Sequence, residues 1–242
     1  MPTWSTATRS SSSPDCGPAR GASRRPWSGA GATTPRATAG LRQSCSGPPP
    51  PLPSSFIALD LEYVSGENTW LIGAYVVDGD DRRVVQLWAD SPAEERRSLR
   101  QLAQLVEEHP SLPVLTWNGA GADVPQLRRV GRSRKLAKLV DSIVANHIDL
   151  YQYAVGSVRL PVPSLSLSEV SAYFGVSKLS AVTGGFDAQM RYLAYCQAAG
   201  PDKDNLRDEL LEYNLDDLVG LAAVAEGFRR LAGLGPLAAP AA

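Results

Sequence analysis

Phe56-Ile57-Ala58-Leu59-Asp60-Leu61-Glu62-Tyr63 is an apolar run broken by two acids one residue apart. In a strand successive side chains point to opposite faces, so Asp60 and Glu62 project to the same side, roughly 7 Å apart at their backbones. Burying two carboxylates in so hydrophobic a strand is costly unless a cation shares them. The expected companion is a divalent ion, and the rest of the chain has to supply its remaining ligands.

Two further strands are read downstream, Thr69 to Val77 and Arg83 to Trp88. Ser65-Gly66-Glu67-Asn68 and Asp78-Gly79-Asp80-Asp81 separate the three runs, and both linkers are dense in turn formers, which predicts an antiparallel meander. Ser91-Pro92 then opens a helix with Leu99, Leu102, Leu105 and Val106 at helical spacing, ending near His109-Pro110. Leu112 to Trp117 reads as a short buried strand, and helical patterns dominate afterwards. That order predicts an α/β fold, a mixed sheet flanked by helices.

The second acidic feature directly follows the fourth strand, as Thr116-Trp-Asn-Gly-Ala-Gly-Ala-Asp123-Val-Pro-Gln-Leu127. Asn118, Gly119 and Gly121 allow a tight turn, and Asp123 falls where a helix should begin, either as its N-cap or as a further ligand. The third is Leu210-Leu-Glu-Tyr213-Asn-Leu-Asp-Asp217, in a strongly helical segment. Tyr213 and Asp217 are four residues apart and share one helical face, so a phenol and a carboxylate can address one small volume. Asp216 points elsewhere. By itself this pair also suits a tyrosine covering the core beside an exposed acid.

Composition narrows the chemistry. The chain has 242 residues, 43% hydrophobic and 20% charged, enough for one sizeable domain with extensions. It has no apolar run near the roughly 18 residues that a membrane span needs, and its opening residues lack a secretory core, which predicts a cytoplasmic protein. Cys16, Cys45 and Cys196 have no paired spacing, and His109 and His147 stand apart, so carboxylates are left to carry any chemistry.

Residues 1–53 are rich in Ser, Thr, Pro, Gly and Arg, with Asp15 as their sole acid, and read as a disordered segment ahead of a domain at 54–232 and a flexible tail at 233–242. Six of the 24 basic residues and one of the 25 acidic ones fall in that segment, leaving 18 bases and 24 acids in the remainder. A nucleic-acid binder of this net charge has to concentrate its bases locally. Arg128, Arg129, Arg132, Arg134, Lys135 and Lys138 do so, as a phosphate-holding cluster or as a solvated helix end.

Taken together, an acid pair on a first strand, Asn-x4-Asp after a later strand and Tyr-x3-Asp on a late helix resemble the 3′–5′ exonucleases of the DEDD type, tyrosine subclass, in the ribonuclease-H-like superfamily. Asn118-Gly119 followed by Asp123-Val-Pro125 looks like the second exonuclease motif of family B DNA polymerases. His147-Ile-Asp-Leu-Tyr151, Leu165-Ser-Leu-Ser-Glu-Val170 before Phe174-Gly175, and Gly184-Gly-Phe-Asp187 are similar to the bacterial RecB-like or YprB-type nucleases of that superfamily. The likeness covers about residues 56 to 230. It departs at Ala122, where the second motif usually carries an aromatic residue.

The resemblance implies a mixed five-stranded sheet, three antiparallel strands then parallel ones, and hydrolysis of DNA or RNA at single-stranded or 3′ ends. It implies that Asp60, Glu62, Asp123 and Asp217 hold two Mg²⁺ or Mn²⁺ ions and that Tyr213 orients the attacking water. Asn118 and the 128–138 bases would contact the backbone of the nucleic acid, and Asp149 would be a supporting residue. A catalytically silent nucleic-acid- or protein-binding module, once fused to a helicase or polymerase, and a structure-selective endonuclease are the alternatives. The sequence does not name a helicase or repair partner.

Overall fold

Strict alternation along one strand organises the architecture. The structure, a computed structural model, describes residues 40–41 and 51–233. The segment 1–53 read from composition lies outside them apart from 40–41 and 51–53, as does the tail 233–242 apart from residue 233. In chain order the strands are β1 (Gly40–Leu41), β2 (Phe56–Tyr63), β3 (Thr69–Asp78), β4 (Asp81–Trp88), β5 (Val114–Thr116), β6 (His147–Asp149) and β7 (Val158–Arg159). The helices are α1 (Pro92–Glu108), α2 (Asp123–Ser133), α3 (Ala137–Ile143), α4 (Leu150–Ser157), α5 (Leu167–Tyr173), α6 (Gly185–Gln197) and α7 (Pro201–Leu231).

The main sheet runs β4-β3-β2-β5-β6, and β1 and β7 form a separate antiparallel pair. β2, β3 and β4 are antiparallel, whereas β5 and β6 run parallel to β2, which is the expected mixed five-stranded sheet. β4 starts two residues earlier than alternation suggested, because Asp78 pairs with Asp81 across a hairpin closed by Gly79 at φ +59°. The fifth strand was hidden among the helical patterns that follow Trp117. Ile143 ends α3, and only His147–Asp149 pairs with Val114–Thr116.

The odd residues Ile57, Leu59 and Leu61 pack with Ile72 and Val114 against α1, α2 and α3, through Leu99, Leu102, Leu127, Val130 and Val140. The even residues Phe56 and Ala58 pack with Leu115 beneath α4, α5 and α7, through Leu150, Val170, Leu221, Val224 and Phe228. A third cluster joins Trp70 and Leu71 to α6 and α7, with Trp70 stacked on Tyr192 at 4.6 Å. Full burial of such side chains contributes about 1.5–3 kcal/mol each, so β2 is fixed from both faces.

Candidate functional site

Asp60 and Glu62 continue the even row begun by Phe56 and Ala58, so they lie on the face that α7 crosses. The distal part of α7 covers that row with Leu221, Val224 and Phe228. Two turns earlier the helix passes over the acids, and there it presents Tyr213, Asn214 and Asp217, all buried. Carboxylate oxygens of Asp60, Glu62 and Asp217 come within 4.8 Å of one another. The Tyr213 hydroxyl donates to Asp217, as the four-residue spacing anticipates.

Asp123 enters the same pocket by a different route. β5 ends at Thr116, leaving the far end of β2 unpaired on that side. Ile57 donates its N–H to Pro113 O on the β5 side, so by alternation Leu61 points its N–H the same way, beyond the end of β5. The Asp123 carboxylate accepts that Leu61 N–H. The capping reading of Asp123 is thereby corrected: Ala122 holds the cap position, Asp123 is the first helical residue, and no side-chain cap bond forms. A pocket of about 330 Å³ is lined by Asp60, Glu62, Asp123 and Tyr213, together with Tyr63, Trp117, Gly185 and Gln189.

The turn before Asp123 is held by Asp149, which accepts from Asn118 N and Ala120 N at 2.9 Å and from Tyr151 N and Gln152 N at the start of α4. Asp149 therefore clamps that turn to the start of α4. Asn118 adopts a left-handed φ of 60°. Gly119 is required for a different reason, since a Cβ there would lie 2.0 Å from Thr116 Oγ1. Thr116 Oγ1 is in turn bonded to His147 Nε2 at 2.7 Å.

Four acids in one cleft oppose ionisation. Burial, then the charges of Asp217 and Asp123, raise Asp60 well above the usual carboxylate range, while Asn214 and Lys178 oppose the shift. Burial followed by Asp60, Asp217 and Asp123 does the same to Glu62. Burial pushes Asp123 up to about 7 despite its backbone hydrogen bonds. Asp217 is also raised by burial, with Lys178 pulling the other way. Burial and the neighbouring carboxylates drive Tyr213 upward, so its phenol stays protonated. Converging carboxylate oxygens with little cationic relief suit a hard divalent cation such as Mg²⁺ or Mn²⁺.

Two neighbours of the site, Lys178 and Asn214, escaped sequence reading. Lys178 Nζ pairs with Asp217 Oδ1 at 2.6 Å and stands 4.2 Å from the centre of the Tyr213 ring. Asp216, which does point away from the pocket, accepts from Leu179 N and Ser180 N and so anchors the loop that carries Lys178. Asn214 donates to Asp60 Oδ2 at 2.7 Å. Lys178 sits in an irregular loop with no periodic signal, whereas an Asn beside Tyr213 on the helix's inward face was a readable sign.

The basic cluster divides. Arg134 is tied to buried Glu95 through Nε and Nη2, both at 2.6 Å, and Glu95 also accepts Thr69 N at 2.6 Å. Arg129 Nε donates to Gln126 Oε1 at 3.1 Å. Arg128 lies 3.9 Å from Asp141, and Arg132, Lys135 and Lys138 are exposed. Arg134 is thus a structural tie between α1 and the end of α2.

No helix among the described residues is long and apolar enough to cross a membrane. No curated protein matches the chain. Among solved structures, the family B DNA polymerase from the hyperthermophilic archaeon Pyrobaculum calidifontis shares the fold, with a TM-score of 0.55 at 22% identity over 75% of this chain. The match spans 25% of the polymerase chain. The sequence profile RNase_H_2 matches residues 57–228, from the first acidic strand to the end of the last helix's buried face. With this nuclease fold and an acidic pocket on its central strand, the chain belongs to the RNase_H superfamily.

Proposed function

We propose that this protein is a metal-dependent 3′–5′ exonuclease that hydrolyses phosphodiester bonds in DNA or RNA. The observation that carries the reading is the convergence of Asp60, Glu62 and Asp217 within 4.8 Å, with Asp123 and Tyr213 in the same pocket. The 3′–5′ polarity and the tyrosine subclass rest on the resemblance of the three acidic motifs to DEDD exonucleases.

In this reading Asp60, Glu62, Asp123 and Asp217 hold two Mg²⁺ or Mn²⁺ ions. Bound divalent cations supply Lewis acidity, stabilising the attacking and leaving oxygens of an in-line displacement at phosphorus. Tyr213 contributes position rather than proton transfer. Its raised pKa keeps the phenol neutral, and its bond to Asp217 fixes the hydroxyl at the pocket wall, where it orients a water. Lys178 offers the pocket a positive charge beside Asp217. The water oxygen bonds to phosphorus as the bond from phosphorus to the 3′ oxygen of the preceding sugar breaks; the water gives up its proton to solvent, the freed 3′ oxygen takes one up, and the terminal nucleotide leaves with its 5′ phosphate.

The test is degradation of 5′-labelled DNA and RNA single strands with Mg²⁺, Mn²⁺ or EDTA, beside Asp60→Ala. The expected result is stepwise shortening that needs metal and is lost in the variant. Cleavage of circular substrates would indicate an endonuclease instead, and no metal-dependent loss of either substrate would refute the enzymatic reading.

A further inference from the structure

Three residues lie abreast on the main sheet. Asp60 on β2 pairs with Gly73 on β3, and Gly73 pairs with Gln86 on β4. Cross-strand partners share a face, so Asp60, the bare Cα of Gly73 and Gln86 form one row beneath α7. Asn214, fully buried, descends from the helix into the space that Gly73 leaves open. A Cβ on Gly73 would lie 2.1 Å from Asn214 Oδ1. The amide there joins the two residues that flank the glycine: Gln86 Nε2 donates to Asn214 Oδ1 at 3.0 Å, and Asn214 Nδ2 donates to Asp60 Oδ2 at 2.7 Å.

The direction of this chain is set at its outer end. The backbone carbonyl of Leu211 is an acceptor that cannot reverse, and Gln86 Nε2 donates to it at 2.8 Å. Gln86 must therefore turn its amino group toward α7, which leaves Asn214 to receive with oxygen and give with nitrogen. Asp60 Oδ2 is then held by a donor, and Oδ1 is the oxygen left for the pocket.

We propose that Asn214 is a positioning residue that fixes which oxygen of Asp60 faces a bound cation, with Gln86 setting its polarity and Gly73 making room for it. The inference rests on the metal-dependent reading of the pocket. Partners that orient a metal-binding side chain typically change metal affinity 10- to 100-fold when removed. The row also assigns a function to an outer strand that carries none of the acids.

The decisive experiment titrates Mg²⁺ and Mn²⁺ into the wild-type protein, Asn214→Ala, Gln86→Glu and Gln86→Met, reading affinity by calorimetry and by thermal shift. Asn214→Ala is expected to weaken metal binding about tenfold or more. Gln86→Glu reverses the chain, because a carboxylate accepts where the amide donated, and should weaken metal binding more than the apolar Gln86→Met of similar length. A role confined to packing predicts the opposite order or no difference, since Glu keeps the shape of Gln. Wild-type affinity in Asn214→Ala would overturn the inference while leaving the proposed activity intact. If Asn214→Ala fails to fold, the comparison of Glu with Met at position 86 decides alone. Absence of metal binding in the wild-type protein would overturn both readings together.

Discussion

Lys178 and Asp217 meet at 2.6 Å beside the acidic cluster, and the same ammonium stands over the ring of Tyr213. A loop residue thus supplies positive charge where three carboxylates converge. Lys178→Met should lower the stability of the metal-free protein by about 1 kcal/mol, roughly 2–4 °C in Tm for a domain of this size. With saturating Mg²⁺ the loss should shrink, because another cation then relieves the acids. Equal losses in EDTA and in Mg²⁺, measured by thermal denaturation, would show that Lys178 does not neutralise the cluster.

The raised pKa values of Asp60, Glu62 and Asp123 give metal-free stability a definite dependence on pH. A carboxyl whose folded pKa exceeds its unfolded value binds more protons when folded, so its contribution is complete below the unfolded pKa and is lost as pH rises through the folded one. For Asp123 that window runs from the ordinary aspartate value of 3.8 to about 7. In EDTA, Tm should therefore rise as pH is lowered from 8 toward 5. Mg²⁺ or Mn²⁺ should stabilise most at high pH, since ligation requires deprotonated acids. A metal-induced shift in Tm that does not grow with pH would contradict this arrangement.

Asp60 and Asp149 should separate cleanly in kinetics. Asp60→Ala is expected to reduce nuclease activity at least 100-fold, by about 3 kcal/mol or more of lost transition-state stabilisation. Asp149→Asn keeps one acceptor oxygen for the turn and the helix start, and should retain most activity while costing about 1–2 kcal/mol of stability. Equal loss of activity in the two would move Asp149 into the chemistry.

Arg134 should behave unlike its neighbours. Removing it strands buried Glu95, so Arg134→Ala should cost about 3 kcal/mol in urea denaturation. Replacing Arg128, Arg132 and Lys135 together should leave stability nearly unchanged but flatten the salt dependence of single-strand binding, by about 2 in the log–log slope. An unaltered slope would remove those bases from the nucleic-acid surface.

Much of this was legible in the sequence because strands and helices impose fixed periods. Asp60 and Glu62 announced a shared face through period two, and Tyr213 and Asp217 announced theirs through a four-residue step. Asp123 was visible as an acid after a strand, and the resemblance made it a ligand, but its position alone left cap and ligand open: whether it caps α2 depends on where the Leu61 N–H is left unpaired, a fact about the length of β5. β6 was obscured because three residues carry too short a pattern. Lys178 was invisible, since its place comes from a loop pinned by Asp216 rather than from any repeat. The row Asp60–Gly73–Gln86 was equally hidden, because registry between strands is a property of their pairing.

Arg229, buried near the end of α7, donates through Nη1 to the carbonyl of Leu52 at 3.0 Å, just ahead of β2. The entrance to β2 is thus fastened by the exit of α7, a closure over 177 positions of sequence. One consequence concerns synthesis on the ribosome. The strand bearing Asp60 and Glu62 emerges early and the partners of its acids follow by the middle of α7, yet its clasp does not exist until the final turns of that helix have left the tunnel. A nascent chain stalled before residue 229 should remain protease-sensitive at 51–56, and release of the last segment should close that site.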